Sequence, residues 1–101
     1  MSKKRTELSA ELHKICDNVY FKPPRSEKMV YPCIKYDLSG YNLRFANDKI
    51  YHDEKRYTVT YITTDPDDEA IDKLLRLLPK TRFERSYKSG NLYHNVYEIK
   101  Y

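Results

Sequence analysis

The sequence predicts an α+β domain, an open and mainly antiparallel sheet of four strands with two helices on one face, in the order α-β-β-α-β-β. Three stretches carry that expectation. Tyr57-Thr58-Val59-Thr60-Tyr61-Ile62-Thr63 consists wholly of β-branched and aromatic residues, which suit a pleated, half-buried surface. Ile71, Leu74, Leu75 and Leu78 recur at i, i+3, i+4 and i+7, the spacing of one apolar helical stripe. Phe83 to Tyr101 alternates on both sides of Ser89-Gly90-Asn91, the pattern of a hairpin with a glycine able to take positive φ.

In chain order, Leu8, Leu12, Ile15 and Val19 follow helical spacing with Glu7, Glu11 and Lys14 between them, predicting a first helix over residues 6–18. Val19-Tyr20-Phe21 can form a short strand that Pro23-Pro24 halts, and residues 25–28 read as a solvated loop. Ile34, Tyr36 and Leu38 then share one face of a strand, with Lys35 and Asp37 on its wet face and Pro32 at its start or on an edge. From Ser39 to Lys55 the pattern is lost among turn-like and charged residues. This segment is either disordered or an extended arm; the alternation of Tyr41, Leu43 and Phe45 favours an arm that orders against a partner. The strand over 57–63 leads directly into the second helix. Asp65 is expected to cap its free N–H groups, Pro66 to take its first position, and Asp67, Asp68 and Glu69 to face the positive end of its dipole, with Pro79 as the stop. In the terminal hairpin, Phe83, Arg85 and Tyr87 alternate with polar residues, and Tyr97, Ile99 and Tyr101 share one side.

A chain of 101 residues makes one domain, 1–101, large enough for a single core but not for a deep enclosed pocket. With 40% apolar residues, 34% charged, 11 Tyr and no Trp, much of the buried area must come from rings that keep a hydroxyl at water or at a partner. The net charge of +4 is a mild bias, without the Lys/Arg runs of a nucleic-acid arm. Cys16 and Cys33 are too few and too far apart for a zinc motif or a disulfide framework, and reduced thiols are expected. No apolar run approaches the ~20 residues that span a bilayer, and no apolar signal core follows Met1 to Arg5. The expectation is a soluble intracellular product with no membrane partner.

Catalytic chemistry finds no support. His13, His52 and His94 lack an acid or nucleophile at motif spacing and read as surface or interface residues. His94, beside Tyr93 in the hairpin, can pair with an acid of a neighbour. The helix start accounts for Asp65, Asp67, Asp68 and Glu69, and the ligand spacing and glycine of a calcium loop are missing, so no metal is expected. No GxGxxG, Walker-type loop, GxSxG or HExxH occurs, and Gly40 and Gly90 alone cannot build a phosphate cradle; no cofactor is expected. Basic and aromatic residues interleave at Lys35-Tyr36, Arg56-Tyr57, Arg85 with Tyr87, and Lys100-Tyr101, as on a sheet that stacks bases. The order of elements is not that of an RNA-recognition fold, its aromatic signature is absent, and 15 acidic residues lie among the basic ones. Tyr in the core and charges on the outer face explain the pattern more simply.

Four stretches together carry a family resemblance: Val19-Tyr20-Phe21-Lys22-Pro23-Pro24, Lys28-Met29-Val30-Tyr31-Pro32-Cys33-Ile34-Lys35-Tyr36, Asp65-Pro66-Asp67, and Asn91-Leu92-Tyr93-His94-Asn95-Val96-Tyr97 running to Tyr101. The chain resembles, from Leu8 to Tyr101, the small tail terminator (tail completion, head-to-tail joining) proteins of long-tailed bacteriophages and prophages of Gram-positive bacteria. Where the family pattern reads Asp-Asn-Leu-Asn-His-Asp-Val near the C-terminus, this chain departs at Gly90, Tyr93 and Asn95. The resemblance implies a non-enzymatic virion subunit of the tail or neck, assembled in the host cytoplasm. Such subunits form a ring, most often a hexamer, that caps the head-proximal end of the tail tube and docks it to the head connector. DNA would pass through its lumen without sequence recognition. The expected partners are copies of itself, the tail tube protein and the connector or stopper. The residues expected at subunit or partner contacts are Tyr41, Leu43, Arg44 and Phe45 on the arm, Tyr87, Tyr93 and His94 on the hairpin, and the charged Arg56 and Arg85. The alternatives are a head-side connector or stopper subunit, a small nucleic-acid-binding module, and, with no motif to single out a substrate, a small enzyme.

Overall fold

The computed structural model of the chain describes residues 4–23, 28–46 and 49–101, with side chains described throughout these except over 42–53. The elements follow in the order α1 (Arg5–Leu12), β1 (Val19–Phe21), β2 (Cys33–Ala46), β3 (Lys49–Thr63), α2 (Glu69–Leu75), β4 (Thr81–Ser89) and β5 (Leu92–Lys100). They build an α+β domain whose single sheet has five strands in the order β1-β2-β3-β5-β4. The four expected strands are present and mutually antiparallel, from β2 through β3 and β5 to β4. The count of four is corrected by β1, which pairs parallel to β2 through Val19↔Ile34, Tyr20↔Lys35 and Phe21↔Tyr36 and makes the sheet mixed. Three residues ended by Pro23 carry too little pattern to reveal a partner.

The larger correction concerns residues 39–55, expected as a loop or a lone extended arm. They are the outer half of a hairpin in which β2 and β3, of 14 and 15 residues, pair with each other as far as Ala46↔Lys49. Register shifts between Leu38 and Gly40 and between Arg44 and Phe45 mark irregularities in this ladder. A two-stranded ribbon beyond the helices has no core face to keep apolar, so outside Tyr41, Leu43 and Phe45 its sequence is mostly turn-like and charged while its backbone stays paired. At about 3.3 Å per residue such strands run some 45 Å, consistent with a molecule 52 × 28 × 22 Å in extent.

Both helices lie on one face of the sheet. Leu8 and Leu12 of α1 and Leu74 of α2 are fully buried against Ile34, Tyr36, Tyr57, Val59, Tyr61, Tyr97 and Ile99, the alternate positions of three adjacent strands. α1 is shorter than residues 6–18. Beyond Leu12 the backbone tightens, with Lys14 N–H bonding to Glu11 C=O and Ile15 N–H to Leu12 C=O. α2 begins one turn later than expected. The Asp65 carboxylate accepts from Asp67 N–H (2.9 Å) and its C=O from Asp68 N–H (3.3 Å), closing a turn, while Asp68 is the N-cap and accepts from Ala70 N–H at 2.9 Å. The helix ends at Leu75, with turns from Arg76 to Lys80 before β4. Three of the four core tyrosines use their hydroxyls internally: Tyr97 on Ile71 C=O (2.7 Å), Tyr61 on Asp68 (2.6 Å), and Tyr36 as acceptor from Arg5 (3.1 Å). In the last hairpin Gly90 has φ +62°, the conformation its two-residue turn between Ser89 and Leu92 requires.

Candidate functional site

The side chains singled out in the sequence do not all converge on one place. Tyr41 stands half exposed near the base of the hairpin, paired in register with Lys55. Leu43, Arg44 and Phe45 lie further along β2, opposite Asp53, His52 and Ile50, and their side chains are outside the described residues. Arg56 lies across the strand from Gly40, where an added Cβ would come within 2.5 Å of its Nη2. Only glycine lets the guanidinium rest there, and the Arg56 Nε is buried without a hydrogen-bond partner. Tyr93 is on the helix side, opposite Thr63, with the Lys88 ammonium 5.3 Å from its ring centroid.

Three of the predicted residues do meet, on the face of the sheet that the helices leave open. Arg85, Tyr87 and His94 are brought together there because the irregularity between Phe83 and Arg85 turns Arg85 to the side that Val96 faces. Tyr87 and His94 are cross-strand partners with rings stacked 4.7 Å apart at 8°, and the Arg85 guanidinium lies 5.9 Å from the Tyr87 ring centroid. His94 Nδ1 is buried without a hydrogen-bond partner. Burial holds the His94 pKa below its ordinary value, and the nearby Lys35 charge adds to the effect.

Beside this cluster the open face is concave. A cavity of about 630 Å³ is lined by Lys22, Met29, Lys35, Asp37, Thr58, Thr60, Val96, Arg85 and Tyr87 among others. Lys35, Thr60 and Val96 occupy neighbouring strands at one level of the sheet, and Thr60 and Val96 are buried beneath the rim. Lys22, which takes positive φ (46°), bridges to Asp37 at 3.3 Å from the β1 side. Sequence reasoning placed Lys35 and Asp37 on a wet face but missed Lys22, Thr58, Thr60 and Val96 as their neighbours. No local pattern signals that meeting, because it depends on strand order.

The other polar focus is at the start of α2. Asp68 accepts from the Tyr61 and Thr63 hydroxyls (2.6 and 3.1 Å) as well as from Ala70 N–H. Burial works to raise its pKa, but these hydrogen bonds outweigh it and leave the carboxyl below its ordinary range. Tyr61 is correspondingly pushed up, by burial first and by the Asp68 carboxylate second. Cys33, fully buried, is pushed up to about 11, mainly by burial, so it is a thiol at neutral pH. Cys16 is raised for the same reason.

Among the described residues no group of three or more His, Cys, Asp or Glu is placed to hold a metal ion, and no helix is long and apolar enough to cross a membrane. No protein-family model matches the chain, and no curated protein is significantly similar to it.

Proposed function

We propose that this chain is a structural subunit of a long-tailed phage or prophage virion, a tail terminator or head-to-tail joining protein. It acts without catalysis, by closing with copies of itself into a ring, of six in the reading the resemblance favours. The ring would cap the head-proximal end of the tail tube and present a face to the head connector. The observation that carries the reading is the set of four matching stretches from Val19 to Tyr101. In the fold they fall on β1, the segment leading into β2, the turn before α2, and β5. The architecture supports it in two further ways. A hairpin of 14- and 15-residue strands reaches beyond the helix-covered core, and among the described residues one sheet face carries no helix. Both would gain stability by contact with neighbouring copies.

Light scattering across a range of concentrations and salt, followed by negative-stain imaging, tests the assembly. A closed ring near six subunits that joins isolated tail tubes supports the proposal. A chain that stays monomeric at high concentration and joins neither tubes nor connectors refutes it. Twelvefold particles would favour a head-side connector or stopper instead. The open face with Lys35, Arg85 and Tyr87 lends the nucleic-acid-binding reading its one structural argument. That reading requires binding to DNA or RNA that weakens steeply with salt.

A further inference from the structure

We propose that the concavity on the open sheet face seats the acidic turn between β3 and α2, residues 64–68, with Glu69 at the start of α2, of a second copy of the chain. The proposal rests on the ring-forming reading above and names the contact that closes the ring. The seat gathers three cations, Lys22, Lys35 and Arg85, around one carboxylate, Asp37. Asp37 is already matched to Lys22. Lys35 and Arg85 meet no acid among the described residues, so their charge is left for a partner.

The turn supplies the opposite charge. Asp68 is spent within the subunit on Tyr61, Thr63 and Ala70, but Asp65, Asp67 and Glu69 stand exposed. Asp67 has no cationic partner among the described residues, and Glu69 reaches Lys73 only at 3.9 Å with its side chain 89% exposed. Most acids elsewhere are matched where they stand, Glu11 to Lys14, Asp72 to Arg76, Glu54 to Lys80, and both Glu84 and Glu98 to Arg82, and only Glu7 and Asp17, single exposed acids, lack an ionic partner among the described residues. The turn and the concavity are thus uncompensated patches of opposite sign, and they lie on opposite faces of the sheet. The turn is held to the helix side through Tyr61 and Thr63, while the concavity opens on the other side.

Opposite faces decide the symmetry. A two-fold dimer would have to form both turn-to-seat contacts reciprocally across one self-complementary interface, which patches on opposite faces disfavour, so each copy gives its turn to one neighbour and receives another's in its seat. Repeated, that head-to-tail contact closes a ring when the rotation per contact divides the full turn, and otherwise builds an open filament. A nucleic acid fits less well, because the seat is a local hollow with a carboxylate in it and two uncompensated cations, not a basic track.

Self-association of the full chain is measured by sedimentation velocity at low salt and at about 1 M salt, where the Debye length falls to about 3 Å. Lys35→Glu with Arg85→Glu, or Asp67→Lys with Glu69→Lys, is expected to weaken association by about tenfold or more, and all four changes together to restore most of it. Circular dichroism checks that each variant folds, and Lys35→Gln with Arg85→Gln substitutes for the reversal if that variant does not. Rings that ignore the reversals, or a four-residue variant no better than its halves, overturn this contact and leave the ring reading intact. A wild-type chain that is monomeric throughout overturns this contact, and if it also joins neither tail tubes nor connectors it overturns the ring reading with it. Oligonucleotide binding lost with Lys35→Glu and Arg85→Glu, with self-association unchanged, assigns the seat to nucleic acid and overturns the proposal.

Discussion

Removal of the Asp68 carboxylate is expected to cost more than any other single surface-accessible change, because one side chain satisfies three donors from two elements. Asp68→Ala leaves Ala70 N–H uncapped, a loss of about 1 kcal/mol. It also leaves the hydroxyl of Tyr61, a residue only 2% exposed, without its 2.6 Å acceptor, and an unsatisfied buried donor costs about 1–3 kcal/mol. Together these give about 2–4 kcal/mol, or a fall in Tm of about 10–20 °C for a domain of this size. Urea unfolding followed by circular dichroism, paired with a double-mutant cycle against Tyr61→Phe, measures both the loss and its source. A coupling energy near 1 kcal/mol or more is expected, since Tyr61→Phe removes the stranded hydroxyl. Asp68→Asn, which keeps an acceptor at the cap, should fall between wild type and Asp68→Ala. A loss below about 0.5 kcal/mol, within the range of ordinary surface substitutions, or strict additivity in the cycle, would refute the reasoning. The same site carries a pH dependence. Its folded pKa is depressed, so its contribution is complete above about pH 4 and is lost as the pH falls through the folded value. Asp68→Asn should flatten that part of the acid-stability curve.

Other expectations follow from burial and backbone geometry. Leu74→Ala, at a fully buried position where α2 meets the core, should destabilise by about 2–5 kcal/mol in the same denaturation assay. Tyr97→Phe leaves Ile71 C=O without its 2.7 Å donor and should cost about 1 kcal/mol, with far-UV circular dichroism unchanged. Gly90→Ala meets no atom within 4 Å, so its expected cost of about 1 kcal/mol comes from positive φ alone, and Gly90→Asn should recover part of it. His94 has a depressed folded pKa, so wild-type stability should decline as the pH falls below about 6.5, where the unfolded chain gains a proton that the folded chain resists. His94→Phe, which preserves an aromatic ring beside Tyr87, should remove that decline when melts are compared from neutral to mildly acidic pH.

Local pattern decided the central elements of this protein. A run of β-branched and aromatic residues over 57–63 can satisfy few backbones other than a strand, and the stripe through Ile71, Leu74 and Leu75 is buried by a helix, although that helix ends at Leu75 and leaves Leu78 in the turns that follow. Gly90 marked its own turn because few other residues tolerate its φ. The wet face of Lys35 and Asp37 was legible as well, from period two alone.

What tertiary structure decided was pairing at a distance. The parallel contact of β1 with β2, the continuation of β2 and β3 past the helices, and the choice of Asp68 over Asp65 as cap all depend on partners that local windows do not contain. Asp68 prevails because β3 sets the hydroxyls of Tyr61 and Thr63 where only that carboxylate reaches them. Arg85 joins Lys35 across β5 and β3 for a similar reason, an irregularity in β4 that changes which face its side chain takes. Sequence periodicity reports which side of an element is buried, because burial acts residue by residue. It does not report which strands become neighbours, because that depends on the global packing of one sheet under two helices.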